Sequence, residues 1–127
     1  MGENKDKEYI THPDNRGSIN ISEDVIAMIA ANAASEIDGV SGLYASLGKD
    51  IADRLSKKSS AKGVKVQVNE NNAVTIDVYI LVKIGFAVNT VAETVQGNVY
   101  TAVESMTGFT ITSVNIHVCG VTLDKDK

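Results

Sequence analysis

The sequence has few of the residues from which crosslinks and metal sites are built. Its 127 residues contain one cysteine, one proline, two histidines and no tryptophan. A single cysteine excludes an internal disulfide and fits a reducing cytosol. A zinc site needs three or four protein ligands, and beside His117 and Cys119 the only other histidine is His12 near the N-terminus. We therefore expect neither a metal nor a cofactor.

Long apolar runs and strong positive charge are also lacking. No window approaches the roughly 18 consecutive apolar residues that would cross a bilayer. Residues 1–16 lack the apolar core of a secretory signal, so we expect a cytoplasmic protein. The formal net charge is −4 and aromatic residues make up only 5%, which disfavours general binding to phosphate backbones and stacked bases.

What the sequence has in quantity is aliphatic residues in regular patterns. Alternating Val and Ile predict a first short strand at 18–21, a hairpin with strands at 64–68 and 73–84, and a last strand at 111–123. Helical spacing predicts helices after Ser22 and over 88–107. The order β-α-β-β-α-β predicts an α+β fold, a two-layer sandwich in which two helices cover one face of a mixed sheet.

The same patterns set the expected boundaries of the domain. A single domain should span 17–123, with a flexible N-terminal tail at 1–16, a C-terminal tail at 124–127 and an insertion after the first helix. In the first helix we expect Val25, Ile26 and Met28 on the buried face, with alanines that keep it slim. We expect Asn89 to cap the second helix, and Gly120, where the apolar parity switches, to mark a bulge.

The reactive side chains are too dispersed for an enzyme. His117 and Cys119 lie two apart on a strand and would share a face, which a thiolate–imidazole pair requires, but no third group accompanies them. The acids are scattered, and no glycine-rich segment has the pattern of a phosphate loop. We therefore expect a protein without catalytic activity and without a small-molecule substrate.

Two groups of residues are candidates for interaction. Tyr79 and Leu81 are apolar side chains on the outer, otherwise polar face of the predicted sheet, and they favour self-association or binding of a protein partner. The insertion carries five cations against two carboxylates, a local net charge of +3. This second group favours an alternative, a regulator that binds an anionic ligand or RNA. Its cations are Lys49, Arg54, Lys57, Lys58 and Lys62.

Several segments in a fixed order resemble one protein family. Gly17-Ser18-Ile19-Asn20-Ile21-Ser22 opens the pattern, and Glu36-Ile37-Asp38-Gly39-Val40 resembles the exit of the first helix. Lys62-Gly63-Val64-Lys65-Val66 is similar to the hairpin entry, and Met106-Thr107-Gly108-Phe109 with Val114-Asn115-Ile116-His117-Val118 resembles the closing block. Together they resemble the alkaline-shock protein family of Gram-positive bacteria, over about residues 17 to 123.

The resemblance implies a small cytosolic protein with no established enzymatic activity. Members of this family act in general stress and cell-envelope homeostasis. Some self-associate and are held at the membrane by a partner membrane protein, while others are encoded beside acetyl-CoA carboxylase genes and are tied to lipid homeostasis. The short chain and its modest acidic tail resemble the second kind. A membrane-anchored or lipid-synthesis protein is therefore the partner that the resemblance implies.

Overall fold

The computed structural model describes residues 9–14, 16–44 and 63–123. They form an α+β sandwich in which two helices cover one face of a four-stranded sheet, which confirms the predicted fold class. In chain order the elements are β1 (Tyr9–Asp14), β2 (Gly17–Ser22), α1 (Glu23–Ser35), β3 (Val40–Leu43), β4 (Val64–Val68), β5 (Val74–Lys83), α2 (Val88–Thr107) and β6 (Ile111–Thr122).

Strand β5 lies at the centre of the sheet and has partners on both edges. On one edge it pairs antiparallel with β4 along Val74–Val78 and with β3 along Ile80–Val82, so that these two short strands lie end to end. On the other edge it pairs with β6 in parallel. A parallel pair needs a long crossover, and α2 supplies it between β5 and β6.

The residues on either side of the insertion, Tyr44 and Gly63, both bond to the backbone of Tyr79 in β5. The amide of Tyr44 donates to the carbonyl of Tyr79 and the amide of Tyr79 donates to the carbonyl of Gly63, both at 2.8 Å. Gly63 has φ +84°, and a Cβ there would lie 2.8 Å from Cβ of Leu43. Only glycine allows this close contact with Leu43. Gly63 therefore allows β3 and β4 to pair with adjacent parts of β5, although residues 45–62 lie between them in the sequence.

The core is almost entirely aliphatic. Five side chains of β5 are fully buried and face the helices: Val74, Ile76, Val78, Ile80 and Val82. Helix α2 covers them with a valine stripe at positions 91, 95, 99 and 103. This alternation on the strand and the stripe on the helix confirm the periodicities in the sequence.

Helix α1 packs mostly through its small residues, which corrects part of the predicted face: Ile26 is fully buried as predicted, but Val25 and Met28 are not. Val25 is 45% exposed and Met28 is 62% exposed, while Ala27, Ala30 and Ala34 are fully buried. The alanines let α1 lie close to α2 as well as over the sheet. At this crossing Nδ2 of Asn98 donates to the carbonyl of Ala33 at 2.8 Å, a bond that a bulkier interface would prevent.

The helix ends match the sequence only in part. Ser22 occupies the N-cap of α1 as predicted, but its side chain makes no capping hydrogen bond. The N-cap of α2 is Ala87, so the prediction of Asn89 is wrong by two residues. Gly108 ends α2 in the left-handed conformation, where glycine is favoured.

The N-terminal region departs most from the prediction. A flexible tail was expected over residues 1–16, but Tyr9–Asp14 form β1 and pair with β2 in an antiparallel hairpin. This hairpin is a separate two-stranded sheet, so β2 is not the fourth strand of the main sheet; β3 is. Ile10, opposite Ile21 in the hairpin, is fully buried and joins the hydrophobic core. Burial of this one side chain accounts for the order of a polar segment.

Strand β6 has the predicted irregularity near its end. Ile80 pairs with Val118 and Leu81 pairs with Gly120, so Cys119 is an extra residue. The bulge changes the parity of the strand and places Val121 opposite Val82. The prediction of a bulge at this glycine is confirmed.

Gly39 lies at a position where any side chain would clash with its neighbours. It has φ +101°, and a Cβ there would lie 2.7 Å from Cγ2 of Val91 and 2.9 Å from Cδ2 of Phe86. Gly39→Ala should therefore lower the free energy of unfolding by about 2–4 kcal/mol, from backbone strain and overpacking together. Urea denaturation measures this change.

Gly97→Ala is the matched control. Gly97 lies within α2, and a Cβ there would meet no atom within 4 Å. This substitution should raise the free energy of unfolding by up to about 1 kcal/mol, since alanine favours a helix. Equal effects of the two substitutions would contradict the close packing of Gly39 against α2.

Candidate interaction surface on the outer face of the sheet

Both helices pack against one face of the sheet, and the opposite face, here called the outer face, carries the polar side chains. The odd-numbered residues of β5 lie there; those from 75 to 81 are half-buried and Lys83 is exposed, whereas its even-numbered residues are fully buried under the helices. Its members on the three neighbouring strands β4, β5 and β6 are Lys65, Gln67, Thr75, Asp77, Tyr79, Leu81, Ser113, Asn115 and His117.

Asp77 is the hub of a hydrogen-bonded cluster on this face. Its Oδ1 accepts a bond from Nδ2 of Asn115 at 3.2 Å and lies 3.0 Å from Nε2 of His117. The parallel register places Asn115 directly beside Asp77 and His117 beside Tyr79. The side chain of His117 is 43% exposed and that of Asp77 17%, so solvent reaches the cluster and weakens its electrostatics.

Aromatic stacking extends the cluster along β5. The rings of Tyr79 and His117 have centroids 4.5 Å apart and an interplanar angle of 15°. Each ring thus covers one face of the other, which couples the orientations of the two side chains. Tyr79 is also the residue whose backbone bonds to Tyr44 and Gly63, so it sits where β3 and β4 meet.

Leu81 continues the outer face beyond Tyr79. It is half-buried and lies beside Gly120, where a Cβ would come 3.3 Å from Cδ2 of Leu81. The missing side chain at Gly120 leaves Leu81 room to lie across β6. Tyr79 and Leu81 therefore form an apolar spot next to the Asp77 cluster, on the face where the sequence predicted them.

The geometry does not assemble a thiol–imidazole pair. Sγ of Cys119 lies 3.7 Å from the backbone carbonyl of His117, and the imidazole is bonded to Asp77 instead. Cys119 is exposed and is the extra residue of the bulge, so it does not follow the alternation that predicted it on the same face as His117. Across the described ranges no three His, Cys, Asp or Glu side chains converge as a metal site would require.

The basic group lies outside the residues that the structure describes. This holds for Lys49, Arg54, Lys57, Lys58 and Lys62, and their proposed role stays a prediction. What the structure places is the pair of attachment points, Tyr44 and Gly63, on either side of Tyr79.

A shallow apolar groove lies at the end of the domain where α1 stops and α2 begins. It has a volume of about 460 Å³ and is lined by Glu36, Ile37, Asp38, Phe86, Ala87, Thr90, Val91 and Thr94. Sequence reasoning missed this groove, because its lining comes from segments about 50 residues apart. The glycine at position 39, against which Phe86 packs, was the one available signal.

None of the helices among the described residues is long and apolar enough to cross a membrane. Helix α2 has 20 residues, but threonine, asparagine, glutamine and glutamate interrupt its valines. Its length serves the crossover between β5 and β6.

Comparison with known proteins identifies close relatives. A family model described as the alkaline-shock protein 23 family, with a cell envelope-related function, matches residues 11–123. The uncharacterized protein YqhY of Bacillus subtilis is 37% identical over 108 residues, which cover 85% of this chain and 79% of the relative. An uncharacterized protein of Streptococcus pyogenes serotype M6 is 38% identical over 109 residues, covering 86% of this chain and 82% of the relative.

Solved structures show a weaker similarity. The MamM CTD matches 76% of this chain and 92% of its own length, with 16% identity and a TM-score of 0.46. Identity and score at this level carry no argument about what the chain does.

The Asp77 cluster should contribute little to stability, because it is solvent-accessible. A double-mutant cycle of Asp77→Ala and His117→Ala should give a coupling energy of about 0.2–1 kcal/mol in chemical denaturation. Asn115→Ala in place of His117→Ala provides the control, since Asn115 bonds to the same oxygen without a ring. A coupling energy above about 3 kcal/mol would contradict an exposed surface pair and indicate a buried one.

Proposed function

The chain belongs to the alkaline-shock protein 23 family, whose function is related to the cell envelope, and we propose that it is a non-enzymatic interaction module in envelope stress tolerance or lipid homeostasis. It acts by assembling with itself or with a protein partner through the outer face of the sheet. The partner is a membrane-anchored protein or a protein of lipid synthesis, which would bring this chain to the membrane periphery.

The observation that supports this proposal is the contrast between the two faces of β5. One face is fully buried under both helices, while the other presents Tyr79 and Leu81 beside a polar cluster, with no helix of the described residues on it. An apolar spot ringed by hydrogen-bonding groups is the usual composition of a binding surface. Tyrosine is also over-represented among residues that dominate binding energy.

The position of the spot on the central strand also favours binding. Tyr79 and Leu81 are held by ladder bonds on both edges of β5, so little order has to be gained when a partner docks. The neighbouring Asp77, Asn115 and His117 offer donors and acceptors that a partner of the right pattern would satisfy. Apolar area would supply affinity and the polar cluster would supply specificity.

The described residues lend no support to catalysis. Their charged side chains lie on the surface, and the imidazole of His117 has no thiol or hydroxyl partner among them. A protein of this composition is better suited to holding partners together than to turnover.

Charging Leu81 tests the proposal. Leu81→Asp should weaken assembly at least about tenfold, because the carboxylate would be desolvated in the contact. Val25→Asp is the matched control, since Val25 is an exposed aliphatic residue on α1, remote from the outer face. Molar mass by light scattering measures self-association, and circular dichroism verifies that both variants are folded.

A photo-crosslinking amino acid at position 81, compared with one at position 25, tests binding to a partner in native cells. The proposal expects a discrete crosslinked product from position 81 and none from position 25. No product at position 81, together with an unchanged molar mass for Leu81→Asp, would contradict a role of the outer face in binding.

A further inference from the structure

The second uncovered surface is the free edge of β6, which is distinct from the outer face. Strand β6 has 12 residues and pairs with β5 along one edge only. Along its other edge no strand of the described ranges pairs with it. An edge of this kind carries a row of backbone amides and carbonyls that can pair with another strand.

The hydrogen bonds of the structure show which backbone groups point to the free edge. The carbonyls of Thr110 and Thr122 face β5, since they accept bonds from the amides of Val74 and Ile84. The carbonyl of Val114 faces the other way, because it accepts a bond from Nε2 of Gln96 on α2 at 2.9 Å. Backbone direction alternates along a strand, so the groups of Ile116 and Val118 also point to the free edge.

Strand β6 lacks most of the devices that keep sheet edges apart. Natural edges are usually short, or carry lysine, other charges, proline or bulges. β6 has bulges at Thr112 and Cys119, but the segment between them, 113–118, is in regular register with β5. From Ile111 to Thr122 there is no charged residue and no proline, and Gln96 covers a single carbonyl. The opposite edge of the sheet is protected, because β3 and β4 have only four and five residues and are separated by an insertion.

Exposed aliphatic side chains accompany the free edge. Val118 and Val121 face the helix layer by register but are 37% and 44% exposed. Pairing with a further strand would bury part of this surface. The free backbone groups and the exposed valines thus coincide over the second half of β6.

We propose that the free edge of β6 pairs with β6 of a second copy of this chain, antiparallel about a two-fold axis near Ile116 to Val118. The two sheets then form one continuous sheet, and valines from the two copies meet across the axis. This inference rests on the self-association in the proposed function, but it places the contact between copies on the edge of β6 instead of on the outer face, so that Leu81→Asp would weaken binding of another protein and leave the dimer intact. The outer face stays free for a different partner.

The absence of charge on β6 favours a second copy over another occupant. Two chains of net charge −4 repel each other, and a two-fold contact is tolerated best where the facing surfaces carry no charge of their own. β6 meets this condition along its whole length. A charged strand from another protein would find no opposite charge there. Pairing β6 with β3 or β4 of a second copy would use shorter edges and lead to open-ended polymers instead of closed dimers.

The test compares Val118→Lys with Val25→Lys. Both replace a partly exposed valine by lysine, but only the first places a charge on the free edge. Light scattering over a range of protein concentrations should show a dimer for the wild type and for Val25→Lys. Val118→Lys should dimerise at least about tenfold more weakly, since inward-pointing lysine blocks edge pairing.

Hydrogen exchange on the wild-type protein tests the same contact without a substitution. The amides of Ile116 and Val118 should exchange more slowly as the protein concentration rises, because pairing protects them. The amide of Asn115 is the internal control, since it faces β5 and should be protected at all concentrations. Concentration-independent exchange of Ile116 and Val118 would overturn the proposal.

The remaining outcomes separate this inference from the proposed function. If Val118→Lys assembles like the wild type while Leu81→Asp does not, the edge pairing is wrong and the outer face carries assembly. If the wild type forms open-ended polymers, the two-fold pairing is wrong. If the wild type is monomeric at every concentration, the pairing is wrong, and the outer face retains only the role of binding another protein.

Discussion

Burial of the inner face of β5 is the constraint on which the rest of this structure depends. Val74, Ile76, Val78, Ile80 and Val82 are all fully buried, and among the described strands β5 alone has partners on both edges. Removing their area from water is the main favourable term available to a chain whose single cysteine can form no internal disulfide. Both helices and the three strands paired with β5 are arranged around this one row of side chains.

This constraint gives the sheet one face that packs under the helices and one face that carries polar side chains. Because the helices cover only one face of the sheet, the polar side chains of β5 lie on the other, outer face. Asp77 gathers Asn115 and His117 there, and Tyr79 stacks on the imidazole. Among the described residues the buried interior holds no ionisable side chain, and the surfaces that no described element covers are the outer face and the edge of β6. That suits membership of a family whose function is related to the cell envelope.

The elements that the sequence predicted well are those whose periodicity coincides with burial. The alternation of β5, the valine stripe of α2 and the bulge at Gly120 each follow from local pattern. The first helix was harder, since alanine carries little hydrophobic signal and yet occupies its tightest contacts. Tyr79 and Leu81 could be assigned to the outer face by parity alone, whereas the contact of His117 with Asp77 joins residues 40 positions apart and needed the parallel register.

The sequence by itself determined the α+β class and the burial of one face of the central strand, because both depend on residue type and local spacing. Only the tertiary structure decided that Tyr9–Asp14 form a strand, that β3 completes the sheet and that the edge of β6 is left open. Strand neighbours depend on contacts between distant segments. Ile10, for example, is buried only through contacts with residues that are distant in the sequence.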